Sequence, residues 1–199
     1  MKKNIVLVNC YRENAEEKME GYHSWLKAGA AAAGMDLAIH DVSAHEPLPG
    51  ASEFYALIVS GSQKMVGNDE AEPGLLEFLK NNRRPLLGIC YGHQALARAF
   101  GCQVKKDGQK HLGAEEVLLK KAAGLFSGFP LRFKMRESHE EIVVRDTVLE
   151  GNFQILANNA SGRVEAIGHR EHPLYGVQFH PEKSGEPGVK LLANFLKMI

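Results

Sequence analysis

The sequence predicts an α/β fold: an open, mostly parallel central sheet with helices on both faces and an antiparallel β flank. Three observations carry this. Short apolar runs without alternation (Ile5 to Val8, Phe54 to Val59, Pro85 to Ile89, Leu174 to Phe179) have the pattern of strands buried on both faces. Helical stretches separate most of them through short connections, in the order β-α-β-β-α-β-α over the first half of the chain. From Gln103 to Ile167 the texture changes to short β-like segments broken by turn signals, which reads as antiparallel.

Taken in order, Asn4 to Val8 is the first strand, bounded by polar residues. Glu13 to Ala33 is helical, with Gly34 placed to cap its C-terminus and alanines at 28 and 30–33 that permit close packing on a sheet. Asp36 to Val42 is a second strand, and Phe54 to Val59 a third that ends at Ser60-Gly61-Ser62. Pro73 opens a helix over Gly74 to Asn82, since proline suits the first helical turn. Pro85 to Ile89 is a fourth strand, and Tyr91 to Phe100 a helix stopped by Gly101. In the flank, β-like segments cover Glu115 to Leu119, Leu131 to Met135, Ile142 to Val144, Phe153 to Ala157 and Val164 to Ile167. Leu174 to Phe179 and a helix over Gly188 to Met198 close the chain. With no linker in 199 residues, one domain spanning 1–199 is expected.

Composition narrows the function. Lys+Arg and Asp+Glu number 24 each, leaving no net positive field to hold a nucleic acid. No run of 18 apolar residues suggests a membrane span, and Ile5 to Val8 is too short for a signal-peptide core. Three widely spaced cysteines (Cys10, Cys90, Cys102) form no CxxC pair. That argues against a disulfide framework or a metal site and for a reducing, cytoplasmic setting. No cofactor is expected.

Chemistry concentrates at Gly88-Ile-Cys90-Tyr-Gly92-His-Gln94. A buried strand runs through Gly-x-Cys-x-Gly directly into a helix, the layout of a nucleophile elbow with cysteine in the serine's place. Small residues two before and two after the nucleophile relieve a tight turn. The helix N-terminus favours a thiolate. Such a nucleophile needs a base and an orienting group. His180 ends the strand Tyr175 to Phe179, and Glu182 follows two residues later, so Cys90, His180 and Glu182 form the candidate triad.

Together, Gly88 to Gln94 and Tyr175-Gly-Val-Gln-Phe-His180-Pro-Glu182 resemble the class I (triad) glutamine amidotransferases, along nearly the whole chain. Arg136-Glu-Ser138-His139-Glu-Glu-Ile142-Val resembles the corresponding segment of the amidotransferase domain of GMP synthase. The resemblance implies hydrolysis of L-glutamine to glutamate and ammonia through a cysteinyl γ-glutamyl thioester. It implies oxyanion donors from the backbone at Tyr91 and Ser62, and glutamine contacts at Gly61, Gln94, Ser138 and His139. Ser60-Gly61-Ser62-Gln63 departs from the family's usual Ser-Gly-Gly-Pro; a positive φ at Ser62 would be strained. No acceptor module is present, so the resemblance implies a synthetase or synthase partner as ammonia acceptor. Two other readings stand beside it: a free-standing γ-glutamyl amide or peptide hydrolase with the same triad, and a non-enzymatic binding or stress protein of the same fold.

Overall fold

The computed structural model describes residues 3–13, 15–50 and 52–199. Nine strands form one sheet in the order β2-β1-β3-β4-β9-β8-β7-β5-β6. The first half is parallel: β2 (Leu37–Ser43), β1 (Lys3–Asn9), β3 (Ala56–Val59), β4 (Leu86–Ile89) and β9 (Leu174–Val177). The second half is antiparallel: β8 (Val164–His169), β7 (Phe153–Asn158), β5 (Val104–Leu119) and β6 (Arg132–Val143).

Strand β1 shows why the apolar runs lack alternation. Ile5 and Leu7 face one core, with Tyr22, Trp25 and Leu26 of α1 (Ala15–Ala33) and Leu191 and Phe195 of α5 (Glu186–Met198). Val6 and Val8 face the other, with Leu75 and Leu79 of α2 (Pro73–Asn81) and Leu96 of α3 (Tyr91–Ala99). A strand covered by helices on both sides must be apolar at every position. Trp25 Nε1 donates to Gly188 O at 2.9 Å, locking α1 to α5, and Gly34, at φ 69°, ends α1 as expected.

The flank differs from the sequence expectation in two ways. The segments at 115–119, 131–135 and 142–144 belong to one long antiparallel ribbon, in which β5 begins at Val104 and β6 runs unbroken from 132 to 143. A short helix α4 (Thr147–Asn152), absent from the sequence reading, is capped by Asp146, whose carboxylate accepts from Leu149 N at 2.8 Å. The ribbon curls back to the carboxyl ends of the parallel strands. Its Val117 and Met135 join the α1/α5 core, while Val104 and Val143 join the α2/α3 core. In consequence β6, last in the sheet order, meets the turn after β9: His180 N donates to Arg136 O at 2.8 Å. No described helix is long and apolar enough to cross a membrane.

Candidate active site

Cys90 caps the N-terminus of α3 at φ 51°, ψ −100°. Among the described residues only Asp69 shares a positive φ without being glycine. Holding a side chain there costs on the order of 1–3 kcal/mol, which the surrounding contacts must offset. One such contact is Cys90 N donating to Val177 O at 2.8 Å. The flanking glycines are needed for space. A Cβ on Gly88 would lie 2.5 Å from Gly92 O, and one on Gly92 would lie 2.5 Å from Val59 O. The elbow is thus wedged between strands with no room for a methyl group. Tyr91, as the first residue of α3, has an N–H with no acceptor inside the helix.

His180 follows β9 and is buried with Glu182, whose Oε1 lies 2.7 Å from His180 Nδ1. Burial alone would lower the imidazole's pKa. The charges of Cys90 and Glu182, with hydrogen bonds to both, outweigh burial and raise it to about 10. The ring is therefore an imidazolium between sulfur and carboxylate, able to give a proton to a leaving group. Burial instead pushes the Cys10 thiol up to about 12 and Cys102 to about 11, leaving both as inert thiols at neutral pH.

Cys90 opens on a cleft of about 180 Å³ lined by Ser62, Tyr91, Gln94, Ser138 and His139, with Lys110 and Glu140 at its rim. A larger cleft of about 600 Å³ between residues 44–50 and α2 contains no cysteine in its lining. Ser62 is not at positive φ, so the strain such a φ would bring is absent from this loop residue, whereas Cys90 does have a positive φ. The Ser62 hydroxyl donates to Cys10 O at 2.7 Å and accepts from Lys64 N at 3.1 Å, pinning the loop. Gly61 donates its N–H to Tyr22 Oη at 2.9 Å; a Cβ there would come within 2.6 Å of Tyr11 Oη and 3.1 Å of His180 Cε1. That donor is already used, and the glycine leaves space for the imidazole.

Ser138 reaches the sulfur through its backbone: its carbonyl lies 3.7 Å from Cys90 Sγ, while its side chain sits at an exposed position of β6. His139 lines the cleft wall, donating Nδ1–H to Glu141 O at 2.8 Å and stacking on His111. Burial lowers its pKa to about 4, so the ring is neutral. The Glu141 carboxylate accepts from Gly67 N at 3.1 Å, fastening the turn after Ser62 to β6.

The sequence reading missed three buried groups behind this wall. Glu137 and Glu165 are both buried, and burial raises both carboxyls well above the ordinary range. Gln178 Nε2 lies 3.7 Å from Cys90 Sγ. Met135, Glu137, His139 and Glu141 alternate along the inward face of β6, but three of the four are polar, so no hydrophobic alternation marks that face in the sequence.

The family model described as glutamine amidotransferase class-I matches residues 17–199. A Methanococcus aeolicus protein, named as one subunit of glutamine-hydrolyzing GMP synthase, is 36% identical over 147 residues, covering 73% of this chain and 74% of that protein. The Methanocaldococcus jannaschii protein of the same name is 35% identical over 154 residues, 77% and 78% of the two chains. A crystal structure from Thermoplasma acidophilum, described as the same GMP synthase component, superposes with a TM-score of 0.79 at 24% identity, over 100% of this chain and 94% of that one. A glutamine amidotransferase from Thermotoga maritima gives 0.69 at 18% identity, over 96% and 80%. The two solved structures share the fold, the sequence relatives share the family, and the chain belongs to the class-I glutamine amidotransferases.

Proposed function

We propose that this chain is a glutaminase with a Cys90-His180-Glu182 triad that supplies ammonia to a separate synthetase, as the name of its GMP synthase relatives suggests. The observation that carries the proposal is geometric: Cys90 sits at the N-terminus of α3 in a strained elbow, and the buried His180 has its Nδ1 2.7 Å from Glu182 Oε1. The Cys90 thiolate attacks the side-chain amide carbon of glutamine. The tetrahedral oxyanion is held by the backbone N–H groups of Tyr91 and Ser62. His180 passes its proton to the departing nitrogen, ammonia leaves, and the γ-glutamyl thioester remains. His180 then takes a proton from water, hydroxide adds to the thioester carbon, and glutamate leaves as the thiolate–imidazolium pair re-forms. Gln94, Ser138 and His139 contact the glutamine, and Gly61 shapes the space beside His180. Residues 1–199 act as one glutaminase domain. Three free cysteines suit a reducing compartment such as the cytoplasm.

The test is glutamate release by the purified chain, first by itself and then with a synthetase that aminates xanthosine monophosphate. Glutaminase activity that vanishes in Cys90→Ala and is coupled to amination in the mixture supports the proposal. Activity that survives Cys90→Ala, or faster turnover on γ-glutamyl peptides than on glutamine, contradicts it.

A further inference from the structure

The sulfur of Cys90 is approached by a second side-chain donor that the triad does not include. Gln178, 1% exposed, lies between β9 and His180 with its Nε2 3.7 Å from Cys90 Sγ. An amide is nearly symmetric in shape, so its direction must come from its partners. Here a backbone carbonyl sets it. Glu141 O can only accept, and Gln94 Nε2 donates to it at 2.9 Å. The same Gln94 nitrogen donates its second hydrogen to Gln178 Oε1 at 3.1 Å. Gln178 must then turn its own NH₂ toward the sulfur. Its backbone is fixed as well, with Gln178 N donating to Glu165 O at 2.9 Å. A carbonyl–amide–amide chain thus runs from β6 through α3 to the nucleophile, with every donor direction determined.

We propose that Gln178 is a positioning residue for the nucleophile: its amide N–H, oriented through Gln94 by the Glu141 carbonyl, holds the Cys90 thiolate and fixes its direction. This rests on Cys90 being the nucleophile. A donor aimed at an anion in a water-poor site favours the charged form of the sulfur. Both hydrogens of Gln94 are committed within the chain, which leaves only its carbonyl oxygen for a substrate.

The experiment is the pH dependence of Cys90 alkylation by iodoacetamide in the full chain, read by peptide mass spectrometry, together with kcat and KM for glutamine. Gln178→Met keeps the volume and removes the donor; Gln178→Glu keeps an acceptor toward Gln94 and sets an anion beside the sulfur. The other titratable groups facing Cys90 stay unchanged: His180 with Glu182, Tyr11 and Tyr22, His139, and the groups lining the cleft, Lys64, Lys110, Glu140 and the buried Glu141. Hydrogen bonds to charged groups are worth roughly 10- to 100-fold in equilibrium terms, with a long contact to sulfur at the lower end. Gln178→Met is therefore expected to slow alkylation at neutral pH about tenfold and to move its half-maximum upward in pH, with the alkaline plateau kept. It should lower kcat by a similar factor while KM changes little. Gln178→Glu should lose more.

Wild-type profiles in both variants, or a fall that is equal at every pH, would overturn the proposal. Cys10 and Cys102 are buried and report folding, since they become reactive only if the chain opens. If Gln178→Glu exposes them, Gln178→Met decides. If Gln178→Met also exposes them, the residue is structural and the proposal fails. Failure of the underlying reading looks different: wild-type alkylation then favours Cys10 or Cys102 over Cys90.

Discussion

Gly92→Ala tests whether the elbow is held by close backbone contact. Its added Cβ would lie 2.5 Å from Val59 O and 3.0 Å from Val59 C, both on the backbone of β3, which cannot rotate away. Ordinary contact begins near 3.4 Å, so α3 must move away from the sheet by about 0.9 Å. Overpacking of this kind costs about 1–3 kcal/mol. Cys90 is the N-cap of α3, so the sulfur moves with the helix relative to His180, which β6 anchors separately through Arg136 O. A displacement near 1 Å between reacting groups lowers the rate on the order of 100-fold. The assay pairs steady-state glutaminase kinetics with urea denaturation of the same sample. The expected result is a folded protein with a lower midpoint and about 1% of wild-type kcat/KM. Wild-type turnover together with wild-type stability would refute the reasoning.

Other outcomes follow from the same geometry. His180→Ala should be nearly as damaging as loss of Cys90, because triad members act as a unit. Glu182→Gln should be milder and should move the alkaline limb of the pH–rate profile to lower pH, since removing one anion lowers the imidazole's pKa from about 10; an unmoved limb would exclude Glu182 as its partner. Ser62→Gly should lower turnover modestly by freeing the loop from Cys10 O and Lys64 N. Ser62→Pro, which deletes the N–H, should cost about 10²–10³-fold in a sample shown to unfold cooperatively. Burial, with the neighbouring Glu137, raises Glu165 to about 9, against an ordinary carboxyl near 4.5 in the unfolded chain. The folded state then holds the extra proton between those values, and stability falls as pH rises through that window. Glu165→Gln should raise Tm by a few degrees at pH 8 and little at pH 4, with a common Tm shift at both pH values counting against the buried acid.

The parallel half of the fold was legible because its physics is local. Strands covered on both faces must be continuously apolar, and an elbow wedged against β3 must carry glycines on either side of its cysteine. The ribbon was not legible for an equally physical reason. Inward positions of β6 carry Glu137, His139 and Glu141: His139 Nε2 lies 3.2 Å from Glu137, the Glu141 carbonyl accepts from the Gln94 side chain of α3, and the Glu141 carboxylate accepts from Gly67 N. Buried polar residues erase the alternation that marks a strand, so β6 read as two fragments with a loop between them. Asp146 capping a six-residue helix was hidden because Gly151-Asn152 also signals a turn. At the site, the partners His180 and Glu182 are close in sequence and could be paired by reading alone. Gln178 could not, because its role depends on Gln94 and Glu141, brought together only by the curl of the sheet. A positive φ at Ser62 would have been strained; the structure has none there, puts the positive φ at Cys90, and gives the Ser62 hydroxyl a task in holding the loop.

The central claim is that Cys90 attacks a glutamine amide while the other two cysteines stay inert. It is tested most directly by treating the full chain with a diazo-ketone analogue of glutamine and mapping the adduct by mass spectrometry. The account predicts a single adduct, on Cys90, whose formation is blocked by excess L-glutamine and abolished in Cys90→Ser. An adduct on Cys10 or Cys102, or labelling of Cys90 that glutamine does not protect, would contradict it.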